Sequence, residues 1–332
     1  MNRPNLQAKT AILRALCDLG QPAGAAKIQE QLQAMGASLQ PRTVRFYLLQ
    51  LDREGLTRPV SRRAGRELTA AGHRELACAH VMRKVGFIGA RIDALVYRMT
   101  YDLEAGQGTI VSNRALIASD QLVRALEVMR PVFTRRLGMG TKLAIVPAGG
   151  TFAGSPIPTG QMALSTVCSV TVNGLFLKHG IPVVSRFGGL MEFADGQPVR
   201  FVELIEYSGT TLDPLEAFIR AGMTQVREVV RTGNGMVGVS FREIPAPAIP
   251  AARRIQAQME KHGLGGILAI GTANQPLFEI PVGEGRAGMI VAGGLNPIAA
   301  LCEAGIQVTF QSLAEVEDIG VFSEFDNPRV RG

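Results

Sequence analysis

The sequence predicts an all-α winged helix at its head, then a mixed α/β body with an internal duplication. Three observations predict this. The first 75 residues run through three helical apolar periodicities into a basic hairpin pattern. They hold 12 Lys+Arg against 6 Asp+Glu, whereas the remaining residues hold 23 against 22. Beyond them the chain is glycine-rich, and one pattern recurs at an offset of roughly 125–127 residues.

In the head, Ala8, Ile12, Ala15, Leu16 and Leu19 lie at helical spacing and stop at Gly20. A second helix is expected from Ala23 to Met35, ending at Gly36. A third opens at Pro41, a favoured first helical position, and runs to Glu54 before Gly55. Its Val44, Leu48 and Leu51 fall at i, i+4 and i+7 and are expected to face the core. Leu56 to Val60 and Glu67 to Thr69 suit two wing strands, with Arg62, Arg63, Gly65 and Arg66 around the tip. Residues 70–85 suit a short helix and a connector.

In the body, Gly106 to Ser112, a helix around 119–136, Leu137-Gly138 and a strand from Lys142 to Pro147 make one half-pattern. Gly233 to Ser240, a helix around 248–262, Gly263-Leu264 and a strand from Gly266 to Ile270 make the other. Each continues into an apolar helix that ends in Gly-Ile, at Gly180-Ile181 and at Gly305-Ile306. Two copies are too few for a solenoid. The expected organisation is therefore a head over 1–75, a connector over 76–85 and one α/β domain over 86–328. That domain would hold pseudo-repeats of about 86–205 and 206–328.

Composition narrows the function. A hydrophobic fraction of 46% with 19% charged residues argues against global disorder. The charge of the head implies a local footprint on phosphate. Cys17, Cys78, Cys168 and Cys302 are scattered without ligand spacing, so they read as reduced, mostly buried thiols of a cytoplasmic protein, with no metal site. No secretory signal opens the chain. The uncharged stretch from Leu143 to Leu177 is long enough for a membrane span, but Pro147, Pro156, Pro158 and the glycines among them break any helix. Buried strands are the expectation there, and no membrane contact.

On the third helix, Arg42, Thr43 and Arg45 project from the N-terminal turn, the part of this motif that reaches base edges. Arg58, Arg62, Arg63 and Arg66 on the wing are expected to hold phosphate, because the guanidinium fork suits both tasks. Tyr47 and Phe46 read as packing residues.

The body's richest polar cluster joins Ser185-Arg186 to Ser208, Thr210 and Thr211, just before a helix expected at Asp213-Pro214. Hydroxyls, a guanidinium and helix-start N–H groups suit a carboxylate ligand. A capped turn, with Thr or Asp as cap and Arg186 paired to Glu203 or Glu206, accounts for the same residues. Catalytic signatures are weak. No nucleotide-binding glycine motif is present, and the four histidines are isolated. Glu203 and Glu206 on one strand would point to opposite faces.

Three segments carry a specific resemblance: Ser185 to Leu190, Glu203 to Glu216 (Glu-Leu-Ile-Glu-Tyr-Ser-Gly-Thr-Thr-Leu-Asp-Pro-Leu-Glu), and Gly288 to Ala300. They closely resemble the NrpR family of nitrogen-regulation transcriptional repressors, and the similarity runs from the head to about residue 325. The resemblance implies a homodimeric repressor of nitrogen-assimilation genes that binds a double-stranded DNA operator. It implies 2-oxoglutarate as a small-molecule effector that weakens this binding, with no bound cofactor and no catalytic residues. The effector contacts expected from charge complementarity are Ser185, Arg186, Ser208, Thr210, Thr211 and Asn296. One rival is an α/β enzyme acting on a 2-oxo or dicarboxylic acid, with a DNA-binding head. A structural partner-binding module is another.

Overall fold

A computed structural model describes residues 3–35, 39–61, 63–73, 76 and 88–330. The chain divides into two compact units, Met1–Gly86 and Phe87–Gly332. The first contains α1 (Arg3–Leu19), α2 (Ala25–Ala34), α3 (Pro41–Arg53) and the antiparallel hairpin of β1 (Thr57–Ser61) and β2 (Gly65–Leu68). Val44, Leu48 and Leu51 are fully buried, as their spacing predicts, in one cluster with Ile12 and Leu16 of α1 and Ile28 and Leu32 of α2.

Helix α2 begins two residues later than the sequence suggests because Ala23 is used elsewhere. Its N–H donates to the Arg66 carbonyl at 2.9 Å, and the Arg66 N–H returns the bond at 3.0 Å. The wing thereby gains a third, one-residue strand. Gly65 permits this approach: its φ is +89°, and a Cβ there would stand 2.2 Å from the Ala23 carbonyl carbon.

The second unit opens with α4 (Ile88–Arg98). The first copy of the repeat comes next as β3 (Thr109–Ala118), α5 (Leu122–Thr134), β4 (Lys142–Val146), a short hairpin of β5 (Thr151–Phe152) and β6 (Ser155–Pro156), β7 (Gln161–Val167), α6 (Thr171–Lys178) and β8 (Val184–Ala194). Between the copies lie β9 (Gln197–Glu206), α7 (Pro214–Arg220) and α8 (Val226–Thr232). The second copy is β10 (Gly235–Pro245), α9 (Ile249–Lys261), β11 (Ile267–Ile270), β12 (Arg286–Ala292), α10 (Asn296–Glu303) and β13 (Thr309–Asp318), with β14 (Ser323–Glu324) after it.

These strands form two similar five-stranded sheets, ordered β13-β3-β7-β4-β14 and β11-β12-β10-β8-β9. Each copy supplies three adjacent strands of one sheet, β3, β7 and β4 or β10, β12 and β11, and sends its last strand to the other: β8 pairs with β10, and β13 pairs with β3. A sequence repeat and a sheet are thus different units.

Helices cover both faces. Leu143 and Ile145 of β4 enter one core with α5, α7, α8 and α10, while Ala144 and Val146 enter the other with α4, α6 and α9. Strands buried on both faces need no polar side, which explains why β7 and the part of β4 beyond Lys142, within the uncharged run from Leu143 to Leu177, carry no charge. Among the described residues no helix is long and apolar enough to cross a membrane. Of the described cysteines, only Cys168 is buried; Cys17 is exposed and Cys302 half-buried, so the expectation of mostly buried thiols fails. Cys78 lies outside the described residues.

Candidate nucleic-acid interface and effector site

Helix α3 keeps its apolar stripe inward and presents Arg42, Arg45, Phe46, Leu49 and Arg53 to solvent on the opposite face. Thr43 is half-buried at the same N-terminal turn. Tyr47 packs in the core as expected, but Phe46 does not: it is 55% exposed and touches Tyr47 only edge-on, with ring centroids 5.5 Å apart. Leu49, one turn on, is 53% exposed.

The wing arginines divide by partner. Arg66 is drawn inward, its Nε donating to Asp52 Oδ2 of α3 at 2.7 Å, and the Thr57 hydroxyl donates to Asp52 Oδ1 at 2.6 Å. Asp52 thereby ties both wing strands to α3. Arg58 pairs with Glu67 across the hairpin at 2.7 Å yet leaves most of its side chain in solvent. Arg63 is exposed. Arg62 lies outside the described residues.

In the second unit the six polar candidates do not converge. Asn296 starts α10 fully buried, and its Nδ2 donates to the Leu137 carbonyl at 2.7 Å and the Gly238 carbonyl at 2.8 Å. Thr210 closes its own turn, its hydroxyl donating to the Leu212 carbonyl at 2.8 Å. Ser208 and Thr211 are exposed on that loop. The start of α7 is already capped: Asp213 Oδ1 accepts from the N–H groups of Leu215 and Glu216 at 2.9 and 3.1 Å. Of the two sequence readings of that helix start, the capped turn describes these N–H groups. Arg186 forms an ion pair as that reading expected, but with Glu243 on β10, and it stacks on Phe187.

Ser185 leads to residues that sequence reasoning missed. Its hydroxyl accepts from Asn173 Nδ2 at 3.1 Å. Asn173 Oδ1 accepts in turn from Arg242 Nη1 at 2.5 Å, and the same Nη1 donates to the Ser169 carbonyl at 2.8 Å. Arg242 is 1% exposed, and its Nε has no hydrogen-bond partner. Around it, burial pushes the Asp213 carboxyl up to about 6 and the Cys168 thiol up to about 12, and raises the Tyr207 phenol. The available signal was a charged Arg242-Glu243 pair inside an otherwise apolar strand. A separate open groove between α5 and α8 is lined by Glu127, Arg227, Glu228 and Arg231, charges of both signs without convergent donors.

Similarity to known proteins mirrors this two-part build. The profile of the NrpR regulatory domains NRD1 and 2 matches residues 85–324, and that of the ribonuclease R winged-helix domain matches residues 10–76. The chain is 33% identical over 325 residues to a global nitrogen regulator, NrpRI, of Methanosarcina mazei, covering 98% of this chain and 100% of that one. It is 28% identical over 308 residues to the global nitrogen regulator NrpR of Methanococcus maripaludis, covering 93% of this chain but 53% of that relative. Among solved structures, a nitrogen repressor-like protein from Methanococcus jannaschii superposes with a TM-score of 0.61 at 25% identity, covering 71% of this chain and 97% of its own. These relatives are named as regulators and not as enzymes. With most of its length matched by the regulatory-domain profile, and a winged-helix domain ahead of it, the chain belongs to the NrpR family.

Proposed function

We propose that this protein is a cytoplasmic, homodimeric transcriptional repressor of nitrogen-assimilation genes whose operator binding is weakened by 2-oxoglutarate. The observation that carries the reading is the exposed face of α3, where Arg42 and Arg45 project from the N-terminal turn in a chain that also holds an NrpR regulatory domain. Arg42, Thr43 and Arg45 read base edges, and Arg58, Arg62 and Arg63 hold phosphate. Arg66 braces the wing through Asp52.

Self-association is supported by β9, an edge strand of ten residues that leaves Val199, Val202 and Leu204 in solvent. For the effector, Ser185, with Arg186 beside it on β8, is linked through Asn173 to Arg242, a buried cation with no hydrogen-bonded carboxylate among the described residues. A carboxylate of 2-oxoglutarate matches such a cation. A ligand that releases DNA must favour the released state, and about 100-fold preference supplies about 2.7 kcal/mol.

The test is binding of the full chain to its own upstream DNA across a salt series, with and without 2-oxoglutarate. Tight, salt-sensitive binding that 2-oxoglutarate weakens is the expected result. Binding indifferent to 2-oxoglutarate removes the effector, and absence of specific binding removes the repressor. Ser185→Ala is expected to raise the 2-oxoglutarate concentration needed for release about 5-fold, the loss of about 1 kcal/mol of hydrogen bonding. An unchanged concentration places the effector elsewhere.

A further inference from the structure

We infer that Phe46 and Leu49 read thymine methyl groups in the major groove, so that part of the operator's sequence selectivity is apolar. The inference rests on the DNA-binding reading above and deepens it. Residues 42, 45, 46, 49 and 53 recur at helical spacing and share the solvent face of α3, opposite buried Val44, Leu48 and Leu51. The cations lie at the two ends of that face, Arg42 and Arg45 at the start and Arg53 at the finish. Its centre is occupied by two large apolar side chains, each more than half exposed.

Leaving two such groups in water at the middle of a surface helix has a cost that solvent does not repay. The occupant that suits them must be anionic around its rim and apolar at its centre. Duplex DNA meets both demands. Its phosphates flank the groove, and the C5-methyl of thymine is the apolar group that a base pair presents there. A protein partner would have to supply anions opposite three arginines on this face, whereas DNA carries them along both sides of the groove. A wing residue, Val60, is also exposed, but it adds no base-edge argument.

The chemistry sets the size of the effect. One buried methyl is worth about 4-fold in affinity. The probe is therefore deoxyuridine, which differs from thymidine only by that methyl and keeps the base-pairing edge. The full chain is first used to enrich bound duplexes from a random pool, and each thymine of the enriched site is then replaced singly by deoxyuridine. The expected result is about a 4-fold loss at one or two positions for the wild type. In Phe46→Ala or Leu49→Ala the base affinity falls, and deoxyuridine at the corresponding position has no further effect. Both side chains lie outside the core, and circular dichroism checks that the variants fold.

Tolerance of deoxyuridine at every position, with enrichment intact, overturns the inference and leaves DNA binding standing. So does a variant that still loses affinity on the same substitution, or one that changes oligomeric state while its deoxyuridine response stays wild-type. If no duplex is enriched at all, the DNA reading fails and takes this inference with it.

Discussion

The two copies of the repeat close the same joint with different side chains. In the first, the Cys168 N–H and the Thr171 hydroxyl both donate to the Val111 carbonyl, at 2.8 and 3.1 Å. In the second, the Gly293 N–H and Asn296 Nδ2 both donate to the Gly238 carbonyl, each at 2.8 Å. The strand residue is large where the helix residue is short. Where the helix residue is long, the strand residue is glycine, and a Cβ on Gly238 would stand 2.8 Å from Asn296 Oδ1. What persists between the copies is a second donor at one buried carbonyl, and the side chains exchange volume around it. Asn296, a candidate effector contact by sequence, is in this comparison the counterpart of a structural threonine.

Breaking the longer joint should have the largest effect. Asn296→Ala removes a donor from each of two buried carbonyls, leaving that of Leu137 without this bond and that of Gly238 with the Gly293 N–H alone, and is expected to destabilise the protein by about 3 kcal/mol in urea unfolding. Thr171→Val removes one donor and should lose about 1 kcal/mol. The transplant sharpens the point: Gly238→Val alone is expected to clash, while Gly238→Val with Asn296→Thr recreates the first copy's pair. The double variant should therefore be more stable than the sum of its singles by at least about 1 kcal/mol. Simple additivity would mean that the two joints are alike only in outline.

The copies differ most in the segments attached to their ends, since β9, α7 and α8 come after the first copy and carry the buried carboxyl of Asp213. Its folded value of about 6 exceeds the ordinary carboxyl value, so the native chain binds this proton more tightly than the unfolded chain. Its contribution to stability is fully present below about pH 4 and falls as the pH rises to about 6. The fall is of the order of 3 kcal/mol. Asp213→Asn keeps the cap and removes the titration. The variant should gain on the wild type as pH rises through this window, measured as the difference of their urea midpoints. A constant difference would show that Asp213 ionises normally.

Much of this comparison was legible in the sequence. The offset of the copies, the Gly-Ile helix endings and the Asp213-Pro214 helix start all rest on local rules, and each has its structural counterpart: Gly180 and Gly305 both take φ +73°, followed by bonds from Ile181 to Phe176 and from Ile306 to Leu301. The exchange of β8 and β13 was not legible, because an apolar strand carries no mark of which sheet receives it. Nor was the buried site. Ser169 and Asn173 lie 73 and 69 residues from Arg242 in sequence and meet it only across the packed core. Phe46 misled for a related reason: an aromatic beside the core stripe reads as packing until the helix phase places it outside.

The smallest expected effect lies at the other helix ends, where the copies again solve one problem with different residues. After α5, Arg136 takes φ 55° and the Leu137 N–H donates to the Val132 carbonyl at 3.1 Å. After α9, Gly263 takes φ 69° and the Leu264 N–H donates to the Met259 carbonyl at 2.9 Å. The same left-handed cap is thus made once by glycine and once by a residue whose Cβ resists it. Arg136→Gly relieves that resistance but loosens the unfolded chain, so a net gain of only about 0.5 kcal/mol is expected. Gly263→Ala has no such balance: it meets the conformational penalty, and its Cβ would also stand 2.8 Å from both Glu324 Oε1 and Thr141 Oγ1. A loss of about 1–2 kcal/mol is expected there. Equal and opposite changes at the two caps would mean that backbone conformation alone separates them. A larger loss at Gly263 would show that this cap also seats the Thr141–Glu324 contact, in which the hydroxyl donates to the carboxylate at 2.5 Å.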